Sequence, residues 1–361
     1  MSDLGNAYLT VRGGRSMTAI ASGEVARPAA AVAQRARRRT LAVTVAIVGL
    51  LLIVVASLAL GVRAIDPAVV WQALTSPVAD SVDHQVVLGQ RLPRTLVGLA
   101  AGAALGLAGT LIQGVTRNPI ADPGLLGLNQ GASLAVVCAF WLLGVTTPAG
   151  YIWFAFAGAA AAAAVVFTVG AGQPVRLALV GATVTAFLTP LITVVLLHDP
   201  AAFNMYRFWV VGSLTGRGLE TVAQLWPFLV VGGVLAAALA HRLNMLALGD
   251  DVARALGQRV GVTRAVAGVA IVLLAGTATA LAGPVVLVGL VVPHAARRLV
   301  GTDYRWVVAL SAVLGPVILL GADVVGRLVL PHSELEAGVV AAAIGAPVLV
   351  AVARGRQVAG V

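Results

Sequence analysis

Lysine is absent: all 24 basic residues among the 361 are arginine. A P-loop needs a lysine to reach the β- and γ-phosphates, so this chain cannot cradle and hydrolyse ATP in that manner. Charge of either sign is scarce, at 11% of residues against about 25% in an ordinary soluble domain. The one cysteine, Cys138, excludes an intrachain disulfide and sits in an apolar run that suits packing. The five histidines, His84, His198, His241, His294 and His332, include no pair at metal-ligand spacing. The stretch GASLA at 131–135 lacks the closing glycine of a nucleophile elbow. An intramembrane enzyme is therefore the weakest of the function classes considered.

Apolar sequence fills the chain instead. Hydrophobic residues make up 60% of it and the mean hydropathy is +0.98. Runs of about 20 apolar residues recur along its length, which is the transmembrane pattern. Backbone amides in lipid must be satisfied within the segment, so these runs are expected to be helices. The expected fold is all-α and polytopic, with ten spans near 41–62, 92–113, 124–143, 150–170, 176–197, 222–242, 264–282, 286–300, 306–325 and 335–353. With the N-terminus inside, six arginines fall outside: Arg63, Arg91, Arg94, Arg207, Arg217 and Arg327. The other 18 fall inside, which satisfies the positive-inside rule and places both termini in the cytoplasm. Membrane orientation thus accounts for the net charge of +10 without nucleic acid.

Residues 1–40 are polar, rich in Ala and Arg, and aperiodic, and are expected to be a disordered cytoplasmic tail. The apolar membrane domain covers 41–356, and 357–361 is a short C-terminal tail. Gly98, Gly102 and Gly106 recur at four-residue spacing, with Gly109 beyond them. That stripe predicts close helix packing and a central place for the second span. Pro190 and Pro316 are expected to kink their spans. Trp71 and Trp209 sit in weakly amphipathic outer connections and read as interface anchors.

Ion-driven transport usually needs a carboxylate at membrane depth. Here the acidic residues fall at span ends or in loops. Asp323 lies nearest a membrane interior and has Arg327 four residues on, a helical ion pair. The drive is then expected from outside the chain, and the loop 243–264 offers a place to receive it. Gly249 breaks the preceding helix, Asp250 is placed to cap a new one, Asp251 suits its first turn, and Gly257 ends it. Val252, Ala253 and Leu256 give this short helix an apolar face.

The stretch RLPRTLVGLAAGAALGLAGTLIQGVTRNPIADPGLLGLNQGAS at 91–133 resembles the permease family of bacterial ABC importers for ferric siderophores, haem and cobalamin. LGDDVARALG at 248–257, GLVVPHAARRLVGTDYR at 289–305 and the region 338–347 resemble the same family, in the same order. The resemblance implies a BtuC-like bundle of ten helices in the bacterial cytoplasmic membrane. A second permease subunit, homologous or identical, would complete a central pathway. Two ABC ATPase subunits would bind below and an extracytoplasmic substrate-binding protein above. By the resemblance, Gly249, Asp250, Asp251, Ala253, Arg254, Leu256 and Gly257 form the ATPase-coupling helix. Arg91, Arg94 and Arg327 dock the binding protein, and Gln173, Pro174 and Val175 occupy the position of the cytoplasmic gate. No resident cofactor or metal is implied: ATP belongs to the partner, and iron enters only with the cargo. The family's usual Glu-Leu-Pro-Val-Gly before the last span is Glu334-Leu335-Glu336-Ala337-Gly338 here, which alters the rim near Arg327. A ferric siderophore is the expected cargo, with haem or cobalamin open. A proton-coupled secondary transporter is the competing class.

Overall fold

The computed structural model describes residues 26–170, 173–330 and 333–357. Every described regular element is helical. In chain order the α-helices are α1 (Ala26–Ala59), α2 (Pro67–Thr75), α3 (Val82–Val86), α4 (Leu92–Thr116), α5 (Leu128–Leu143), α6 (Pro148–Gly170), α7 (Pro174–His198), α8 (Pro200–Val210), α9 (Leu219–Leu246), α10 (Asp250–Ala255), α11 (Val260–Ala282), α12 (Val288–Val300), α13 (Tyr304–Val329) and α14 (Ala337–Gln357). A π-turn, Val87–Arg91, joins α3 to α4, and a 3₁₀ turn, Pro123–Leu126, precedes α5.

Each of the ten expected spans coincides with a helix. Seven are long and apolar enough to cross a membrane, and Leu128–Leu143 and Ala337–Ala351 are shorter apolar helices. The remaining one, the eighth in order and expected at 286–300, is α12, which has only 13 residues. At 1.5 Å per residue it reaches about 20 Å, short of the ~30 Å hydrocarbon core. Leu287 before it holds a left-handed conformation, φ 69°, so this element is a half-helix entered from an irregular loop.

The helix α4 runs through the centre, flanked by α13, α11, α12 and α9. Its glycines explain why. A Cβ on Gly102 would lie 2.6 Å from the Pro316 backbone on α13. One on Gly109 would collide with the carbonyl of Gly289 on α12. Backbones this close gain dispersion contacts that no side chain could bridge, as the stripe predicted. Helices α1 and α7 lie outside and expose most of their apolar residues.

Two expectations change. The helix α1 begins at Ala26, so the part of the tail from 26 to 40 is helical and continuous with the first span. Tertiary contacts hold its end: Arg38 donates to the Arg298 carbonyl at 2.9 Å and Arg39 to that of Val300 at 3.1 Å, the end of α12. Residues 1–25 and 358–361 lie outside the described residues. Trp209, expected at an interface, is only 3% exposed. It packs beside Tyr206 on the inner face of α8, whereas Trp71 on α2 is exposed as expected.

Candidate functional site

Polar chemistry gathers at the two ends of α4. Arg94 near its start and Arg117 after its end are roughly 35 Å apart along the helix.

At the first end, Arg91, Arg94 and Arg327 are drawn together, but inward. Asp323, fully buried on α13, is the hub for Arg94 and Arg327. Arg94 Nε and Nη2 donate to Asp323 Oδ1 at 2.9 and 2.7 Å, and Arg327 Nη2 lies 2.9 Å from Oδ2. Arg94 Nη1 reaches Glu334 Oε2 at 2.6 Å. Arg91 and Arg327 then cap the end of α1. Arg91 Nη1 donates to the carbonyls of Leu58 and Ala59 at 2.8 and 2.7 Å. Arg327 Nη1 donates to those of Ser57 and Leu60, both at 2.9 Å. Cations at a helix C-terminus satisfy its orphan carbonyls and complement its dipole. The expected Asp323–Arg327 pair is present, but Asp323 is a buried hub rather than a span-end carboxylate. These arginines line a cavity of about 710 Å³ together with Arg63, Arg217 and Glu334. In it Arg63 is the exposed cation, with a side chain 64% accessible and 3.1 Å from Asp83. Arg217, in the loop before α9, is pushed down to about 10, chiefly by burial, against the pull of Glu336. Its Nε donates to the Leu281 carbonyl at 2.9 Å.

At the second end stands α10. Its N-cap is Gly249, at φ 108°, and not Asp250, which occupies the first helical position. Freed from capping, Asp250 becomes a bridge. Its Oδ1 lies 3.1 Å from Arg117 at the end of α4 and 3.0 Å from Arg264 on α11. Its Oδ2 is 3.8 Å from Arg254. The Asp251 side chain is 98% exposed and, among the described residues, pairs only with Arg254, at 2.8 Å. Gly257, at φ 82°, turns the chain out of the helix as expected, its N–H donating to the Arg254 carbonyl. The apolar face splits: Ala253 is fully buried, while Val252 and Leu256 are exposed beside Leu248. This apolar, acidic knob projects without a partner among the described residues.

Beside it lies the expected gate. Gln173 is extended and precedes α7, which begins at Pro174. Val175 faces a cavity of about 260 Å³ shared with Ile112, Asn118, Asp122 and Leu126. Asp122 accepts from the Gly124 N–H at 2.8 Å and has no ion-pair partner among the described residues. Burial pushes its carboxyl up to about 6, against that hydrogen bond.

Sequence reasoning missed a polar face on α7. Thr185, Thr189 and Thr193 recur every four residues, and Thr189 and Thr193 are exposed. With Ala178, Ala182, Asn129 and Gln130, Thr185 borders a cavity of about 740 Å³. The four-residue threonine spacing inside an apolar run was the available signal.

Among the described residues, no three His, Cys, Asp or Glu side chains are grouped to hold a metal. The family model described as the FecCD transport family matches residues 49–355. The chain is 44% identical over 319 residues to the ferric enterobactin transport system permease protein of Escherichia coli (strain K12), covering 86% of this chain and 95% of that one. It is 37% identical over 321 residues to an iron(3+)-hydroxamate import system permease protein of Bacillus subtilis (strain 168), covering 87% and 83%. Among solved structures it is similar to an inward-facing transporter described as a metal-chelate type ABC transporter. The TM-score is 0.75 at 26% identity, over 85% of this chain and 98% of that one.

Proposed function

We propose a function on the premise that the chain belongs to the FecCD transport family: it is the multi-pass membrane permease subunit of an ABC importer whose cargo is a ferric siderophore. The cargo is argued from the relatives, whose names specify ferric enterobactin and iron(3+)-hydroxamate.

The observation that carries the mechanism is the projecting α10, in a chain without a nucleotide-binding lysine. In this reading the arginine-rich α10 end faces the cytoplasm, both termini lie there, and ABC ATPase subunits grip Leu248, Val252 and Leu256. Closure of the ATPases on nucleotide displaces α10. Asp250 passes that displacement to α4 through Arg117 and to α11 through Arg264, the two helices that pack at the centre of the bundle. Two permease subunits then rock as rigid bodies and the access of the pathway alternates. The gate at Gln173, Pro174 and Val175 stands at the cytoplasmic mouth, and the threonine face of α7 lines the pathway opposite a second permease. ATP is bound by the partner, and iron travels in the cargo.

The other end faces outward and meets the substrate-binding protein. Arg91, Arg94 and Arg327 give the outer cavity its positive field rather than projecting from it, and Arg63 supplies the exposed cation. Such a field steers an acidic partner and sets its register.

Vesicles containing this subunit, its ATPase and its binding protein are expected to accumulate ferric siderophore with ATP. A protonophore is expected to leave the rate unchanged. Uptake without ATP that collapses with the proton gradient would contradict the reading.

A further inference from the structure

One cavity has an α6 wall that the transport reading does not use, while its foot is shared with α10, α11 and Gln173. It is a groove of about 1120 Å³ between α6 and α11, ending at α10. Its upper walls are apolar: Ala160, Ala164 and Phe167 from α6, with Gly268, Val269 and Val272 from α11. Its foot is basic, with Arg254, Arg259 and Arg264. Asp250 is the only carboxylate in the lining and Asp251 just outside it pairs with Arg254 at 2.8 Å, so the foot carries an excess of one positive charge. Arg259 is exposed and has no ion-pair partner among the described residues. Arg264 gives one nitrogen to Asp250, yet its Nε is buried with no hydrogen-bond partner. Along α11 the groove runs from Val260 to Leu273, about 20 Å at the helical rise. One leaflet of hydrocarbon is about 15 Å deep.

We propose that this groove is a binding site for an anionic phospholipid, with an acyl chain along the Ala164–Gly268 walls and the phosphodiester on Arg259 and Arg264. Three features converge on that occupant. The groove is apolar for the depth of a leaflet and basic only at the membrane surface. Its cations outnumber its carboxylate, whereas the acid-hubbed arginines at the other end of the molecule are already paired. Basic pockets between transmembrane helices near the cytoplasmic surface take anionic headgroups. Because Arg254 and Arg264 also hold Asp250, bound lipid buttresses α10 where the ATPase meets it. The site goes beyond the transport reading and needs only that α6 and α11 lie in a bilayer.

The test is native mass spectrometry of the permease–ATPase complex released from vesicles of equal phosphatidylglycerol and phosphatidylcholine. The wild type is expected to retain phosphatidylglycerol preferentially. Arg259→Gln should lower that retention about fivefold, the weight of one arginine at an anionic surface. Ala164→Phe, which blocks the apolar wall without touching charge, should lower it as well. Arg176→Gln, an exposed arginine at the start of α7 outside the groove, should leave it unchanged. Equal retention of both lipids, or retention indifferent to Arg259→Gln and Ala164→Phe, would overturn the proposal. Displacement of the lipid by millimolar inorganic phosphate would reassign the foot as a free-phosphate site. Loss of the ATPase in Arg259→Gln with lipid retention intact would reassign it to the ATPase interface. Uptake measurements report on the transport reading separately.

Discussion

The two ends of α4 treat charge in opposite ways. At one end, Arg91, Arg94 and Arg327 are almost fully buried and spend their donors on Asp323, Glu334 and the last carbonyls of α1. At the other, Asp250 is shared among three arginines at a partly open surface, and Asp251, Val252 and Leu256 face outward. Buried charge tolerates no rearrangement, because each ion has lost its water and depends on its partners. Partly exposed ion pairs exchange partners at little cost. The first end therefore anchors α1, α4 and α13 to one another, and the second can yield when pushed.

Asp323 breaks the contrast most sharply. Asp323→Asn leaves two buried guanidinium groups short of their counter-charge, and removing one partner of such a cluster costs about 3–5 kcal/mol. We expect a large fall in the thermal unfolding midpoint in detergent, or no folded protein. A midpoint near wild type would mean that the anchor is not electrostatic. A joint charge reversal of Arg91, Arg94 and Arg327 should fail the same way, so it cannot isolate docking.

Asp122 is the counter-example at the α10 end, a half-buried carboxyl without a cation. Its pKa is raised from 3.8 to about 6 in the fold. The folded state thus holds a proton that the unfolded chain has lost, so stability falls as pH rises from about 4 to about 6. Two pKa units correspond to at most about 3 kcal/mol. Asp122→Asn keeps the acceptor for Gly124 and removes the ionisation. It should raise the unfolding midpoint at pH 7 and flatten its pH dependence between 4 and 6; an unchanged profile would contradict the assignment.

The neighbours Asp250 and Asp251 separate structure from coupling with the smallest stability effects. Asp250→Ala should cost about 1 kcal/mol, given its partial exposure, yet abolish most uptake while the ATPase still co-purifies. Asp251→Ala should change stability by less than about 0.5 kcal/mol and reduce uptake less. Equal uptake defects would show that the bridge to Arg117 and Arg264 carries nothing.

Much of this was legible in the sequence. Apolar run length placed the helices, because lipid leaves the backbone no alternative. The Gly98–Gly109 stripe placed α4 at the centre, because only close backbones require it. The pair Asp323–Arg327 was visible because helical spacing is local. What escaped depends on distant chain. Arg94 meets Asp323 across 229 residues of sequence, and no local pattern tells a rim arginine from a buried one. Asp250 looked like a cap because it follows a glycine, but its partners come from α4 and α11. Trp209 is buried because α8 turns its ring inward beside Tyr206, and α12 is short because the left-handed Leu287 interrupts the chain just before it.

The exposed face of α10 decides the account. With Cys138→Ala removing the native thiol, Leu256→Cys places one probe on that face. A membrane-impermeant maleimide should label it in inverted vesicles and not in intact spheroplasts, and added ATPase subunits should protect it. Labelling from outside the cell, or labelling that the ATPase leaves untouched, would contradict it.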